Sequence, residues 1–214
     1  MILETPDADW LTFFQNRFRF CAHQLLAWGY QDARSFIGPD LEEEDITGHL
    51  VKAIQDRLND LNTPPEYSER YEVHEEKPIH SPERTGKKRQ RIDILAICTG
   101  KHPRPELWFE AKRLKTQVCT IGKYVGTGGM QCYIKCEYAK NYPMAAMIGY
   151  IQNSTPSYWY SELVRVFGTD KALNVTKKLS QCQVVPSLSN EWKSSHNRTD
   201  GTDIELYHIF LDCT

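Results

Sequence analysis

Two carboxylates and an amine, those of Asp93, Glu110 and Lys112, stand in apolar surroundings near the middle of the chain. In the segment LWFEAKRL, residues 107–114, apolar positions alternate with Trp108, Glu110 and Lys112. Because successive side chains of a β-strand point to opposite faces, a strand here would have one apolar face and one face with a carboxylate beside an ammonium. Asp93 stands near the start of the preceding apolar segment. If the two strands pair as a hairpin, Asp93 comes close to Glu110.

These three side chains are suited to metal-assisted hydrolysis. Two carboxylates at one sheet surface repel each other, and a divalent cation is the usual relief; ligands that are all oxygen favour Mg²⁺ or Mn²⁺ over zinc. A lysine two residues from a metal-binding glutamate can hold or polarise an attacking water and offset phosphate charge. A Glu-x-Lys triplet alone occurs about once by chance in a chain of this size. The alternative is therefore an exposed strand with an ordinary Glu–Lys pair, but the apolar strand and the Asp-led strand before it favour the metal site.

The hydrophobic pattern predicts the elements that would position these residues. Apolar residues recur at three- and four-residue steps between 41 and 61, which is typical of an amphipathic helix. In chain order the predicted elements are helices at 7–30 and 41–61, strands at 68–77, 91–98 and 106–113, a flexible Gly-rich loop at 122–129, a helix at 129–140, a strand at 144–151, a helix at 157–167 and a strand at 204–211. Residues 170–200 are polar and have no clear pattern. The order α–β–β–β–α–β–α–β predicts an α/β fold with a mixed sheet flanked by helices.

Asp93, followed after a short connection by Glu110-Ala111-Lys112, resembles the signature of the PD-(D/E)XK, or restriction-endonuclease-like, nuclease superfamily. The order αβββαβ over 41–151 is similar to the common core of that family. One departure is that Ile92, not proline, precedes Asp93. The resemblance implies that Asp93 and Glu110 bind Mg²⁺ or Mn²⁺, and that Lys112 assists the water that attacks phosphorus.

The same resemblance implies an endonuclease that hydrolyses nucleic acid, DNA rather than RNA and in double-stranded form, in restriction or antiviral defence. It also allows a homodimer or a larger defence complex formed through the N-terminal helix. Two other functions stay open. The first is that of a catalytically inactive relative that binds nucleic acid, and the second is that of an interaction subunit of a larger complex.

In many relatives the first core helix contributes a further glutamate to the metal site. Three candidates for this residue begin the helix at 41–61: Glu42, Glu43 and Glu44. Glu43 lies on the same helical stripe as the apolar residues that would face the sheet, so it is the best placed, with Glu44 second. The alternative is that all three acids stabilise the helix N-terminus through the helix dipole. Some relatives also use a glutamine in the helix after the Glu-x-Lys strand. This makes Gln131 a candidate for contacting a phosphate or a water at the site.

The run at 84–91 is the predicted nucleic-acid-binding segment, because it leads into the Asp93 strand with five basic residues in eight. Basic side chains there would attract the phosphate backbone without reading sequence. Its basic residues are Arg84, Lys87, Lys88, Arg89 and Arg91. The alternative is a solvated loop. Other candidates for phosphate contact are Lys123, Lys135, Lys140, and Ser195, His196 and Arg198 of the segment SHNR. For each of them the alternative is an ordinary side chain with no role in binding.

Composition sets the outer limits. The chain has 214 residues, 40% of them hydrophobic, and a formal net charge of −2; this length predicts one domain with at most a small appended subdomain. The resemblance then implies an N-terminal helical extension at 1–40 and a nuclease domain at 41–214. Its seven cysteines form no CxxC pair, which favours reduced, packed thiols. We expect a cytoplasmic protein with no membrane partner, since neither a signal peptide nor an apolar run of ~18 residues is present.

Overall fold

A seven-stranded mixed sheet forms the centre of the computed structural model, which describes residues 8–62, 64–66, 68–79, 86–100 and 103–214. Side chains of residues 8–14 and of Lys88 lie outside the description. The helices are α1 (Ala8–Ala33), α2 (Glu43–Leu58), α3 (Ile121–Val125), α4 (Met130–Ile134) and α5 (Pro156–Thr169). The strands are β1 (Tyr71–Pro78), β2 (Arg91–Cys98), β3 (Glu106–Leu114), β4 (Met144–Ile151), β5 (Val175–Gln181), β6 (Glu191–Asn197) and β7 (Asp203–Asp212). Short 3₁₀ turns lie at Ser68–Arg70, Gly86–Lys88 and Lys171–Leu173.

The strand order is β1-β2-β3-β4-β7-β6-β5. Strands β1, β2 and β3 pair antiparallel, β3, β4 and β7 pair parallel, and β7, β6 and β5 pair antiparallel again. This is the mixed sheet flanked by helices that the pattern predicts. The strands predicted at 91–98, 106–113 and 144–151 are present with the same bounds within one residue.

The sheet separates two cores. Helices α1 and α2 pack on one face, where the odd positions of β3 (Leu107, Phe109 and Ala111) are buried. Helices α3, α4 and α5 pack on the other face, towards which Trp108 and Leu114 of β3 point. Glu110 and Lys112 therefore have the parity of the α3–α5 face, as the alternation in the sequence predicts. Lys112 stands near the end of β3, where its ammonium also reaches Glu43 in the first turn of α2.

Helix α2 buries the stripe Ile46, Leu50 and Ile54 at four-residue spacing. Helix α1 approaches it closely at Gly29, where a Cβ would lie 2.5 Å from Cγ1 of Ile54. Buried residues of α1, among them Phe18 and Leu25, belong to the same core as α2 and the sheet. No described helix combines the length and apolarity needed to cross a membrane.

Two predicted regions differ from the structure. The predicted helix at 129–140 is only the short α4, and the predicted flexible loop contains α3. The chain leaves the helical path at Cys136 and Ala139, both with positive φ. The glycines between α3 and α4 form a close turn, because a Cβ at Gly129 would overlap the carbonyl oxygen of Tyr124.

The unassigned stretch 170–200 holds β5 and β6. Strand β5 is an exposed edge, and β6 buries polar side chains rather than apolar ones, so neither shows the usual hydrophobic signal. All seven cysteines are free thiols, as predicted, and five of them are buried.

Candidate active site

The β2–β3 hairpin brings Asp93 and Glu110 together. The paired part of the hairpin ends at Ile94 and Phe109, and Asp93 and Glu110 are the next residues of β2 and β3 beyond this pair. One carboxylate oxygen of Asp93, Oδ2, accepts a 2.6 Å hydrogen bond from the backbone N–H of Ala111. This bond fixes the Asp93 carboxylate against β3, on the strand that carries the other two predicted residues.

The ammonium of Lys112 lies at the centre of the site, surrounded by three carboxylates. Its Nζ is 2.8 Å from Oε1 of Glu43, 2.9 Å from Oε1 of Glu110 and 3.9 Å from Oδ2 of Asp93. The second oxygen of Glu43, Oε2, accepts a 3.0 Å hydrogen bond from the backbone N–H of Arg113. The first turn of α2 is therefore tied to the end of β3. Glu44 is exposed, and the described hydrogen bonds and ion pairs do not join it to the site.

Burial dominates the electrostatics. It raises the pKa of Asp93 to about 6, against the opposing effects of Lys112 and of the Ala111 hydrogen bond. It raises the pKa of Glu110 to about 8, helped by the charge of Asp93 and opposed by Lys112. For Lys112, burial alone would lower the pKa, but the charges of Glu110, Asp93 and Glu43 outweigh it and the pKa is raised. The site thus keeps a charged ammonium among carboxyls that resist ionisation.

The donor set is chemically suited to a hard cation, although no cation cage is already formed. All candidate ligand atoms are carboxylate oxygens, and Oε2 of Glu110 is buried without a hydrogen-bond partner among the described residues. However, the described part of the chain has no group of three or more His, Cys, Asp or Glu side chains arranged to hold a metal ion. The carboxylates converge on the ammonium of Lys112 instead.

A cleft of about 240 Å³ opens beside Lys112. The residues that line it are Glu42, Glu43, Glu44, Lys112, Arg113, Cys119 and Lys123. Arg113 is paired with Glu42 at 2.7 Å. Arg113 and Cys119 were not predicted from the sequence, because no pattern distinguishes a cleft residue at the end of a strand or in the loop that follows it.

Gln131, the glutamine predicted from α4, is partly buried, and no described residue forms a hydrogen bond with its side chain. Its neighbour Cys132 is close enough to the site to be affected by the charge of Glu110. Burial, followed by the charge of Glu110, raises the pKa of the Cys132 thiol to about 12. The structure therefore does not join Gln131 to Asp93, Glu110 and Lys112.

The predicted nucleic-acid-binding run enters β2 two residues before Asp93, at the same end of the sheet as the site. Arg84 lies outside the described residues, as does the side chain of Lys88. Lys87 is exposed, Arg89 donates to the carbonyl of Gly86 at 3.2 Å, and Arg91 pairs with Glu76 at 2.6 Å. A nucleic-acid contact by Arg84, Lys87, Lys88, Arg89 or Arg91 stays a prediction.

The segment SHNR has a structural role in two of its residues. His196 is buried and its Nδ1 lies 2.7 Å from the carbonyl oxygen of Leu173. Arg198 is also buried and donates to the carbonyls of Ala139, Lys140 and Tyr142 at 2.8–3.0 Å. Both side chains are thus buried and hydrogen-bonded to backbone carbonyls, which is the structural role that the sequence offered as the alternative to phosphate contact.

Comparisons with protein-family models, with curated proteins and with solved structures found no match to this chain. The interpretation of the site thus rests on its own geometry.

Proposed function

We propose that this chain is a metal-dependent nuclease of the PD-(D/E)XK type that hydrolyses phosphodiester bonds of double-stranded DNA. The observation that carries the proposal is the convergence of Asp93, Glu110 and Glu43 on the ammonium of Lys112, from β2, β3 and α2. The β2–β3 hairpin and the distant helix α2 supply four charged groups to one partly buried point. Ionisable groups with strongly shifted pKa values beside a cleft are typical of functional sites.

Asp93 and Glu110 would hold Mg²⁺ or Mn²⁺, with Glu43 as a third oxygen ligand. A bound divalent cation would neutralise phosphate charge and lower the pKa of the attacking water. The buried, unpartnered Oε2 of Glu110 supports this assignment, because a buried carboxylate oxygen without a partner is energetically costly.

Lys112 supplies the chain's own contribution to the reaction. Its ammonium has three N–H donors, and its carboxylate partners keep it charged. With a metal ion held by the carboxylates, these donors would be free to orient a water and to offset charge on the phosphate. The water oxygen would form a bond to phosphorus and give up a proton to solvent, while the bond from phosphorus to the leaving oxygen breaks and that oxygen takes a proton from solvent.

A second candidate function is a nuclease-like subunit that binds nucleic acid or a protein partner without cutting. One observation favours it: the ammonium of Lys112 occupies the point on which the carboxylates converge, and the described residues form no ready cation cage.

A cleavage assay separates the two functions. Plasmid, linear duplex and single strands are incubated with the protein in Mg²⁺, Mn²⁺ or EDTA. We expect Asp93→Asn and Glu110→Gln to lower cleavage by at least about 100-fold, the effect of losing one charge-stabilising group. Circular dichroism checks that each variant is folded.

Glu43→Gln and Glu44→Gln form the matched pair, since both remove one charge from the same helix turn. Only Glu43→Gln should impair cleavage strongly. A folded Asp93→Asn or Glu110→Gln variant that cuts at the wild-type rate would rule out the metal-site assignment. Binding of DNA without cleavage in either metal would support the second candidate.

A further inference from the structure

The cations of the cleft differ in how they are neutralised. Lys112 is paired with Glu43 and Glu110, and Arg113 is paired with Glu42. Lys123 is exposed and lines the same cleft, yet no described Asp or Glu lies within ion-pair distance of it. Lys123 is therefore the cation of this cleft that no described ion pair engages, in a cleft that Glu44 also lines.

Tyr124, the residue after Lys123, has a buried side chain whose hydroxyl forms hydrogen bonds inside the protein. Tyr124 is fully buried, and its hydroxyl lies 3.1 Å from Nδ1 of His208 on β7 and 3.3 Å from the carbonyl oxygen of Met147 on β4. From there a chain of short contacts continues across the sheet. Nε2 of His208 is 2.8 Å from Oγ of Ser194, and Oγ of Ser194 is 2.6 Å from Nε2 of His196.

The hydrogen bond between His196 and Leu173, at the far end of this series, determines which atom donates and which accepts in each of the other hydrogen bonds. Nδ1 of His196 lies 2.7 Å from the carbonyl oxygen of Leu173, which can only accept, so Nδ1 carries the hydrogen. In a neutral imidazole Nε2 of His196 then accepts from the Ser194 hydroxyl. Ser194 in turn accepts from Nε2–H of His208, whose Nδ1 accepts from the Tyr124 hydroxyl.

Burial favours the neutral state of both imidazoles, which this arrangement needs. Burial lowers the pKa of His208 to about 3, and burial also lowers the pKa of His196. Every polar atom of the two imidazoles and of the Ser194 hydroxyl is thereby used, which gives Tyr124 one defined position. On the backbone side, the glycine turn at Gly129 packs against the carbonyl of Tyr124.

We propose that Lys123 binds a backbone phosphate of the nucleic acid in this cleft and that Tyr124, through the buried hydrogen-bonded chain, positions it. This inference rests on the proposed nuclease function. An ammonium makes charge-assisted hydrogen bonds to phosphate oxygens, and such contacts set the register of the bound strand without reading its sequence. A fixed backbone at Lys123 limits the entropy that the contact costs.

The binding test uses the folded protein and a DNA duplex in EDTA, so that binding is measured without cleavage. Lys123→Gln is compared with Lys178→Gln, which removes an exposed lysine of β5 at the opposite edge of the sheet. Only Lys123→Gln should reduce the slope of log affinity against log salt, by about 0.9 for one lost duplex phosphate contact. Equal slopes for the wild type and Lys123→Gln would overturn the proposal.

Tyr124→Phe tests the positioning role, because it removes the hydroxyl and keeps the buried ring. We expect it to raise KM more than it lowers kcat, the signature of weakened substrate binding. ¹⁵N NMR of the histidines should show hydrogen on Nε2 of His208 and on Nδ1 of His196 in the wild type, and a disturbed His208 signal in the variant. Opposite tautomers, or an unchanged KM, would remove Tyr124 from this role.

Inorganic phosphate separates the phosphate site from the nuclease function. Titration of ¹³C-labelled lysine with phosphate should perturb Lys123 and leave Lys178 unchanged. If Lys123 responds but the protein neither binds nor cuts nucleic acid, the phosphate site stands and its assignment to nucleic acid fails. No response of Lys123 to either phosphate or duplex overturns the phosphate site itself.

Discussion

At the scale of single residues, the cost of burying charge governs the candidate site. Glu110 is 4% exposed and Lys112 is partly buried. Removing such groups from water costs several kcal/mol per ion, which pairing recovers only in part. The raised pKa values of Asp93 and Glu110 express this cost directly. Protonation of these carboxyls thus stabilises the site in the absence of metal. Once the carboxyls ionise, a divalent cation would offset their buried negative charge.

This cost makes stability depend on pH. The pKa of Glu110 is raised by burial from 4.5 to about 8, so between these values the folded chain binds a proton that the unfolded chain has lost. Stability therefore falls as pH rises through this window. We expect the free energy of unfolding in EDTA to decrease from pH 5 to pH 8, and Glu110→Gln to remove at least about 1 kcal/mol of that decrease.

Urea denaturation at a series of pH values measures the effect. Asp93, with a pKa raised from 3.8 to about 6, contributes in the same direction at lower pH. Glu69→Gln is the control, since its carboxyl is exposed at the end of β1 that is remote from Asp93, and the variant should follow the wild-type curve. Parallel curves for the wild type and Glu110→Gln would contradict the prediction.

At the scale of elements, the close packing of α1 on α2 determines where Glu43 lies. Glycine at position 29 allows the approach, because a Cβ there would meet both the Ile54 side chain and the backbone oxygen of Leu50 at 2.9 Å. Leu50 and Ile54 in turn seat α2 on the sheet. The helix packing therefore sets the position of the carboxylate that reaches Lys112.

Gly29→Ala should destabilise the protein by about 1–3 kcal/mol, as overpacking of a filled core does. The control is Gly168→Ala in α5, where a Cβ meets no atom within 4 Å. That substitution should be neutral or stabilising by up to about 1 kcal/mol, because alanine favours a helix. Thermal and urea unfolding give both values. Equal stability of the two variants would show that the α1–α2 contact is looser than the structure indicates.

At the scale of the whole molecule, α1 is part of the core that supports the site. Its residues Phe18 and Leu25 are at most 2% exposed. His23 lies 2.6 Å from Glu191 of β6 with both side chains fully buried, and the Tyr30 hydroxyl donates to the carbonyl of Asp212 at 2.7 Å. These contacts tie residues of the expected N-terminal extension to the far half of the sheet.

Removal of residues 1–40 should therefore prevent cooperative folding of 41–214, because one face of the sheet would lose its cover. A milder test is Leu25→Ala, which should cost about 2–5 kcal/mol. Gln31→Ala, at an exposed position of the same helix, should stay within about 0.5 kcal/mol of the wild type. A shortened chain that unfolds cooperatively and keeps any cleavage activity would show instead that 41–214 is an independent domain.

The local sequence pattern alone was sufficient to predict the central strands and to predict which of their charged side chains lie on the same face. Alternation in β3 placed Glu110 and Lys112 on one face, and the short β2–β3 connection placed Asp93 beside them. The helical stripe distinguished Glu43 from Glu44. These features depend on the two-residue and 3.6-residue repeats of strand and helix, which the sequence displays directly.

Long-range packing decided the rest. Glu43 and Lys112 are 69 positions apart, and only the fold of α2 onto β3 brings them to 2.8 Å. Lys123 faces the cleft because Tyr124 is bound inside the protein, and His196 and Arg198 are buried because other backbone carbonyls accept their hydrogen bonds. Strands β5 and β6 escaped prediction for the same physical reason. Their polar residues are accommodated by an exposed edge and by partners distant in sequence, neither of which a local pattern records.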